Sequence, residues 1–200
     1  MVSKGDGEIK GIGEEEMKKI YIVVFLTACS LFLSACGYTT RSSISNKFRT
    51  IYITPFINKI DITREMNAEN KYKIYRPSLE TDVTVSVTNK FLFDGNLKPV
   101  REQTADLILK GEVVDFARDP LRYSDNNDVQ EYRVNVRVNI SLWDNRENKL
   151  LWEENGFTGY ANYFTSFYPV ASERKDESVA VNQALEDLAR RIVERAVEEW

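Results

Sequence analysis

The clearest pattern in the chain is a strict alternation of apolar and polar residues over residues 131–143. The apolar positions are Tyr132, Val134, Val136, Val138, Ile140 and Leu142. Because successive side chains of a strand point to opposite faces, this alternation predicts a β-strand that buries one face only. The polar run 144–148 predicts a turn, and the apolar-rich segment 149–154 predicts a strand that pairs back as a hairpin.

Three further segments carry recognisable patterns. Residues 49–56 are rich in β-branched and aromatic side chains and predict a first strand, and residues 105–116 predict a second, partly exposed strand. The polar stretch 58–76 predicts a long loop that is mobile or contacts a partner. Residues 176–199 predict a helix because their apolar residues form one stripe. The stripe consists of Val181, Ala184, Leu185, Leu188, Ile192 and Ala196.

Residues 77–94 fit two patterns. Three valines in this stretch alternate as in a strand, whereas an apolar residue at every fourth position from Leu79 to Phe91 marks one face of a helix. Length favours the helix, because about seventeen residues between breakers exceed a usual strand. Ser78 is a candidate N-cap and Gly95 is a stop signal, which also favour a helix.

The predicted order of elements is strand, helix, strand, strand, strand, helix. This order predicts an α+β fold, a two-layer sandwich in which two helices pack on one face of a four-stranded mixed sheet. The opposite face of the sheet is polar and is left for contact with another molecule.

An apolar run over residues 20–35 follows Lys18 and Lys19 and ends at Cys36. A positive start, an apolar stretch and small residues before a cysteine resemble a bacterial lipoprotein signal peptide. The run is interrupted and shorter than the roughly 20 apolar residues that span a bilayer, which disfavours a transmembrane anchor. Cleavage at the alternative Cys29 would leave an apolar new terminus, whereas the chain after Cys36 is polar.

This interpretation divides the chain into three parts. Residues 1–35 are a leader, and its residues 17–35 form the signal peptide. Residues 1–16 contain acidic residues where a signal peptide opens with positive charge, so they are a mis-assigned start or an added tag. Residues 36–49 form a polar tether, and residues 50–200 form the folded domain.

Composition narrows the chemistry of the folded domain. Without the leader, 165 residues remain, with 23 basic and 26 acidic side chains, so no basic excess indicates nucleic-acid binding. The chain has no histidine, and its two cysteines fall in the leader and at its cleavage point. A Ser-His or Cys-His nucleophile, a Cys/His zinc site and a disulfide scaffold are therefore excluded. A lipid-anchored hydrolase remains an alternative, and it predicts two close carboxyl groups with at least one raised pKa.

Several short segments in the chain match one family in order and spacing. They are Cys36-Gly37-Tyr38, the strand 51–58, the helix opening Pro77-Ser78-Leu79-Glu80 with Thr88 and Phe91, the strand start 105–111, the strand 131–142 and Leu150-Leu151-Trp152-Glu153. Together they resemble the LPS-assembly lipoprotein family, LptE, over most of the chain after the leader. The predicted loop 58–76 is longer than is usual in that family.

The resemblance implies a non-enzymatic lipoprotein, anchored in the outer membrane at its periplasmic face by acyl chains, palmitate among them, on Cys36. Gly37 after the cysteine favours the outer membrane by the family's sorting rule. The implied partners are an LptD-type β-barrel, which the protein plugs and helps to assemble, lipopolysaccharide on its way to the cell surface, and the membrane. Nucleic acid is not among them, and no metal or cofactor is implied beyond the covalent acyl chains.

Two sets of residues are candidate contacts. Arginine suits the phosphates and carboxylates of lipopolysaccharide. The candidate cations are Arg118 and Arg122 in the loop after the second strand, Arg133 and Arg137 on the polar sheet face, and Arg174 and Lys175 before the last helix. Aromatic residues are enriched in interface cores, so the segment 157–168 is a candidate partner interface. Its candidates are Tyr160, Tyr163, Phe164, Phe167 and Tyr168, and the competing interpretations are solvated charges and aromatics that complete the core.

A second hypothesis is a lipoprotein that activates a periplasmic cell-wall synthase, which is another binding protein on a similar scaffold. Co-purification distinguishes the two hypotheses. A lipoprotein of the LptE type should co-purify with a barrel protein, whereas a synthase activator should co-purify with a penicillin-binding protein.

Overall fold

The computed structural model describes residue 18 and the ranges 47–61 and 76–198. The predicted leader, apart from residue 18, and most of the tether with its acylation position Cys36 lie outside the described residues. Residues 62–75 of the predicted loop also lie outside them.

The chain divides into two compact units, residues 1–40 and 41–200, and every element below belongs to the second. In chain order the described elements are β1 (Thr50–Ile53), β2 (Ile57–Asn58), α1 (Leu79–Asp94), β3 (Lys98–Pro99), a short 3-10 helix (Glu102–Thr104), β4 (Leu107–Tyr123), β5 (Val129–Asp144), β6 (Lys149–Phe164), a second 3-10 helix (Ala171–Glu173) and α2 (Glu177–Val197). None of the helices in this part of the chain is long and apolar enough to cross a membrane.

The strands form one mixed sheet in the order β3-β1-β4-β5-β6, and β2 also pairs with β4. β1 is parallel to both of its neighbours, whereas β4, β5 and β6 form an antiparallel meander. The predicted alternation in β5 decides the two faces, because its even-numbered residues from Val134 to Leu142 are buried in the core that the helices cover. The odd-numbered residues lie on the other face, which is polar.

The helix interpretation of residues 77–94 is confirmed. The residues of α1 that reach the core are Leu79, Val83, Val87 and Phe91. Gly95 ends the helix with φ of 77°, and its N–H donates to the Phe91 carbonyl over 3.2 Å. Glycine adopts this left-handed conformation without strain. Ser78 lies at the N-cap position as predicted, but it has φ of 60° and its side chain makes no capping hydrogen bond.

α2 packs closely on the sheet. Its predicted apolar stripe is buried, and it is completed by three further buried residues, Ala180, Ala189 and Val193. At Gly159 of β6 the two elements approach so closely that an added Cβ atom would lie 2.6 Å from the Leu188 Cα. A residue without a side chain is therefore needed at position 159.

The α+β class with two helices on a mixed sheet is confirmed, but the predicted count of four strands is wrong, because the described residues form six. The two additional strands, β2 and β3, have two residues each and are held by parallel pairing, so they leave no periodic signal in the sequence. β4 and β6 also extend further than predicted, to Tyr123 and Phe164. Irregular register in β4 breaks its alternation. Arg118 and Arg122 consequently lie on strand β4, and their predicted loop position is wrong.

A candidate binding surface at the distal end of the sheet

The distal end of the domain comprises residues 118–133 and 160–177, where β4 ends, β5 begins, β6 ends and α2 begins. A tight turn closes the β4–β5 hairpin there. The Ser124 N–H donates to the Asp128 carbonyl over 2.8 Å, and the Asp128 N–H donates to Ser124 Oγ over 3.1 Å. Asn127 takes φ of 63°, a conformation that asparagine tolerates. This turn holds two strand ends beside the end of β6.

A stacked tyrosine pair lies at the base of the distal end. The ring centroids of Tyr132 and Tyr163 are 5.7 Å apart. Arg118 lies 4.7 Å from the Tyr132 centroid and forms an ion pair with Glu177, the first residue of α2. The Tyr163 hydroxyl donates to the same carboxylate over 3.1 Å. Burial is the main cause that raises the pKa of Tyr163 to about 12, so its neutral hydroxyl ties β6 to the start of α2.

A second aromatic pair lies further out. The rings of Phe164 and Tyr168 stack with centroids 4.0 Å apart. The Arg122 guanidinium lies 6.0 Å from the Phe164 centroid and 5.8 Å from the Tyr168 centroid. Its Nε is 3.8 Å from Glu131 Oε2. Such cation–π contacts contribute about 0.5–1 kcal/mol at exposed sites, so they hold Arg122 in place without removing it from solvent.

The segment after β6 folds back along the end of the sheet. The Lys175 N–H donates to the Phe164 carbonyl over 3.1 Å, and Arg174 Nε donates to the Tyr168 carbonyl over 2.8 Å. Phe167, between these contacts, remains 58% exposed. The large apolar residues exposed at or beside the distal end are Leu121, Tyr123, Tyr160, Phe167, Val170 and Val179. Exposed apolar side chains concentrated in one region are typical of an interaction surface.

Tyr160 lies on β6 between two arginines. Its ring centroid is 4.9 Å from the guanidinium of Arg133 and 4.9 Å from that of Arg191 on α2. Arg133 Nε donates to Asn162 Oδ1 over 3.0 Å, and the Tyr160 N–H donates to Asp187 Oδ2 over 3.2 Å. These contacts fix an exposed tyrosine ring between two positive charges.

The six candidate cations differ in whether an acidic side chain already neutralises them. Arg118 and Arg122 pair with glutamates of the distal end, as described above. Arg137 lies apart on the outer face of the sheet, with its guanidinium 3.6 Å from Asp115 Oδ2. Among the described residues, the remaining three candidates have no acidic side chain at ion-pair distance. They are Arg133, Arg174 and Lys175, and they are the best placed to receive an anionic group.

The five candidate aromatics also differ in exposure. Tyr160 and Phe167 are exposed, Phe164 and Tyr168 are half-buried, and Tyr163 is buried. Tyr163 therefore supports the surface from below. Sequence reasoning missed Tyr132 and Glu177 as parts of this arrangement. Tyr132 resembles any other apolar position of its alternating strand, and only the register that places it opposite Tyr163 reveals the pair.

The hydrolase hypothesis requires a carboxyl group with a raised pKa, and the shifted carboxyl groups of the described residues move the other way. The carboxyl groups with a clear shift are Asp106 and Asp187, and the pKa of each is lowered. Burial alone would raise both values. For Asp106, hydrogen bonds from Arg49, Thr50 and Arg146 outweigh burial, and for Asp187 the hydrogen bonds of Arg190, the Tyr160 N–H and Arg191 do so.

The chain is similar in structure to several bacterial proteins of low sequence identity. The hypothetical protein CT253 from Chlamydia trachomatis is 11% identical, with 74% of this chain and 95% of that chain covered and a TM-score of 0.48. The rare lipoprotein B from Shewanella oneidensis is 14% identical, with 72% and 92% covered and a TM-score of 0.44. PelC from Paraburkholderia phytofirmans, a dodecamer, is 14% identical, with 76% and 90% covered and a TM-score of 0.43.

Comparison with known sequences gives a family. No curated protein sequence matches the chain. The model of the LptE family, described as lipopolysaccharide-assembly, matches residues 48–196, which is more than half of the chain. The resemblance noted in the sequence is thereby confirmed, and the chain belongs to the LptE family of lipopolysaccharide-assembly proteins.

Proposed function

We propose that the protein is an outer-membrane lipoprotein that plugs an LptD-type β-barrel, helps the barrel to assemble and contacts lipopolysaccharide during its export. Membership of the LptE family supports a role in lipopolysaccharide assembly. The observation that carries the finer proposal is the distal end, where three segments bring together exposed aromatics and cations that have no acidic side chain at ion-pair distance among the described residues. This role requires no catalytic group, and we propose that the protein is not an enzyme.

The proposed anchor is a set of acyl chains, palmitate among them, on Cys36 at the periplasmic face of the outer membrane. The apolar run and small residues before this cysteine support it. Each buried methylene contributes about 0.8 kcal/mol, and two or more chains anchor a protein stably where one holds only marginally.

The proposed barrel contact uses the exposed aromatics of the distal end. Tyr160 and Phe167 present large rings to solvent, and aromatic residues are enriched in interface cores. The stacked pair of Phe164 and Tyr168 supports Phe167 from the same segment. Burial of these rings against the barrel wall would remove exposed apolar surface from water and so stabilise the complex.

The proposed lipopolysaccharide contact uses the cations for which the described part of the chain provides no acidic partner. Arg133, Arg174 and Lys175 can bind phosphate or carboxylate groups without first losing an ion pair. Arg118, Arg122 and Arg137 contribute only if they exchange a protein carboxylate for one of the ligand's anionic groups.

Capture of the full chain from detergent-solubilised outer membranes tests the barrel contact. A barrel protein should be recovered at near-equal stoichiometry, and Phe167→Ser should lower the recovery several-fold. Val85→Ser, which changes an exposed apolar residue of α1, is the matched control and should leave recovery unchanged. Recovery of a penicillin-binding protein in place of a barrel would favour the synthase-activator hypothesis and contradict this proposal.

Binding of purified lipopolysaccharide tests the anionic contact. The triple variant with glutamine at Arg133, Arg174 and Lys175 should bind several-fold more weakly. A control triple with glutamine at three lysines elsewhere, Lys59, Lys90 and Lys110, removes the same charge. Equal losses in the two triples would mean that net charge alone attracts the lipid and that the distal cations form no site.

A further inference from the structure

The proximal end of the domain, formed by residues 47–50, 92–106 and 144–149, carries a second exposed apolar feature. Leu92 is 58% exposed and Phe93 is 88% exposed at the end of α1. Phe93 has the highest exposure among the exposed large apolar residues of the described part of the chain. Nothing in the proposed barrel contact uses these two side chains.

Leu92 and Phe93 lie close to the point where the chain enters the domain. Gly95 ends α1, and the Lys98 N–H donates to the Arg49 carbonyl over 2.9 Å. Phe93 and Lys98 are five positions apart, which limits the separation of their Cα atoms to roughly 18 Å. The tether therefore joins the domain beside the exposed end of α1.

The exposed charges around this point are mainly positive. Its exposed cations are Lys47, Arg49, Lys98, Arg101, Arg146 and Lys149, and its exposed acids are Asp94, Glu102 and Glu147. Arg146 and Lys47 are ion-paired with the buried Asp106 and Asp144, so all charged side chains of this end together carry a formal charge of +1, whereas the whole chain carries −4. The charge of the proximal end thus has the opposite sign to the net charge of the chain.

The two remaining acids of the proximal end are buried and already bound. Asp106 accepts the backbone N–H groups of Arg49 and Thr50 over 2.9 and 3.1 Å and pairs with Arg146. Asp144 accepts the backbone N–H of Arg146 over 2.9 Å. Asp144 also lies 3.9 Å from Lys47 Nζ. Among the described residues, the cations of this end without an acidic side chain at ion-pair distance are therefore Arg49, Lys98, Arg101 and Lys149.

We propose that, in the lipoprotein not yet engaged with a barrel, the proximal end docks on an anionic phospholipid surface, with Leu92 and Phe93 in the headgroup region. This inference rests on the proposed acyl anchor at Cys36. That cysteine and Lys47 are eleven positions apart, which limits their separation to about 40 Å, so the anchor keeps this end near the bilayer. Apolar side chains that enter the interface and nearby cations that face anionic headgroups each add to such binding.

The contact orients the domain. The acyl chains alone leave it free to turn on its tether, whereas a second contact at the proximal end directs the distal end away from the phospholipid. The exposed aromatics of the distal end are then kept available for the barrel.

Fluorescence quenching by lipid tests the proposal on the full chain, purified from membranes and reconstituted in phosphatidylethanolamine and phosphatidylglycerol vesicles that contain brominated lipid. An environment-sensitive fluorophore is attached at Asp94→Cys, next to Phe93. The matched control carries it at Thr81→Cys, which is exposed on the first turn of the same helix. We expect quenching several-fold stronger at position 94 than at position 81. The additional substitutions Leu92→Ser and Phe93→Ser should abolish the difference, and circular dichroism checks that this variant keeps its fold.

Equal quenching at the two positions, or quenching at position 94 that survives removal of both apolar side chains, would overturn the proposal. Mass spectrometry of the same sample reports whether Cys36 is acylated. An unmodified cysteine together with selective quenching at position 94 would refute the anchor and leave the lipid contact standing. An acylated cysteine without selective quenching at position 94 would support the anchor and refute the lipid contact.

Discussion

The two ends of the domain hold their charged groups in opposite ways. At the proximal end, Asp106 is 8% exposed and binds two backbone N–H groups and an arginine. At the distal end, Arg122 lies on the surface against two aromatic rings. A buried carboxylate with all its hydrogen bonds made stabilises the fold, whereas an exposed cation on a ring contributes little to stability. The comparison indicates that the bound acid of the proximal end contributes more to stability than the exposed cation of the distal end.

The largest expected effect is at Asp106. Asp106→Ala leaves the N–H groups of Arg49 and Thr50 without their acceptor, and we expect it to lower the free energy of unfolding by about 3 kcal/mol. Urea unfolding followed by circular dichroism measures the change. Asp125→Ala, an exposed aspartate in the distal turn, is the control and should change stability by less than about 0.5 kcal/mol. Similar losses in both variants would contradict the contrast between the ends.

Acid should weaken the proximal end. The pKa of Asp106 is lowered in the folded state, so its contribution is present above its ordinary pKa and is lost as the pH falls through the lower folded value. We expect the stability difference between the wild type and Asp106→Asn to be constant near neutral pH and to shrink below about pH 4. Urea midpoints measured across this range test the direction, and a difference that grows in acid would refute it.

Alkali should weaken the distal end. Burial raises the pKa of Tyr163 to about 12, so the neutral hydroxyl stabilises the fold fully below its ordinary pKa. That contribution is lost as the pH rises toward the folded value. Tyr163→Phe should cost about 1 kcal/mol near neutral pH through its lost hydrogen bond to Glu177. In a titration of tyrosine absorbance, the variant should lack a component that ionises late, and an unchanged titration would contradict the assignment.

The smallest expected effect on stability is at Arg122. Its contacts are an ion pair at 3.8 Å and two cation–π contacts on an exposed surface, so Arg122→Gln should change the free energy of unfolding by less than about 1 kcal/mol. The effect should shrink further in high salt, which screens exposed charges. A loss comparable to that of Asp106→Ala would show that the distal cations are structural.

The sequence predicted the elements in which the pattern of apolar positions repeats along the chain. The alternation of β5 and the four-residue spacing of α1 are repeated burial patterns, and both elements formed as expected. β2 and β3 are too short to show a repeating pattern of apolar positions, and they depend on pairing with distant strands. Ser78 lies at the N-cap of α1, but its backbone is in the left-handed conformation and its side chain makes no capping hydrogen bond.

The candidate surface was predictable in composition but not in arrangement. Aromatic density in residues 157–168 indicated an interface, yet which rings face outward depends on strand register and on the approach of α2. The same holds for the cations, because the ion pair of Arg118 with Glu177 joins residues that lie 59 positions apart. The lipoprotein leader, Cys36 and the tether before residue 47 remain predictions from the sequence.

The edge strands β3 and β6 have features that oppose unwanted strand addition. On one side the sheet ends in β3, which has only two residues and includes Pro99. On the other side, the long strand β6 has its Tyr160 N–H occupied by Asp187 and its Phe164 carbonyl occupied by the Lys175 N–H. Short, proline-bearing or covered borders resist the edge-to-edge joining that leads to fibres. These edges therefore disfavour polymerisation of the chain with its own copies.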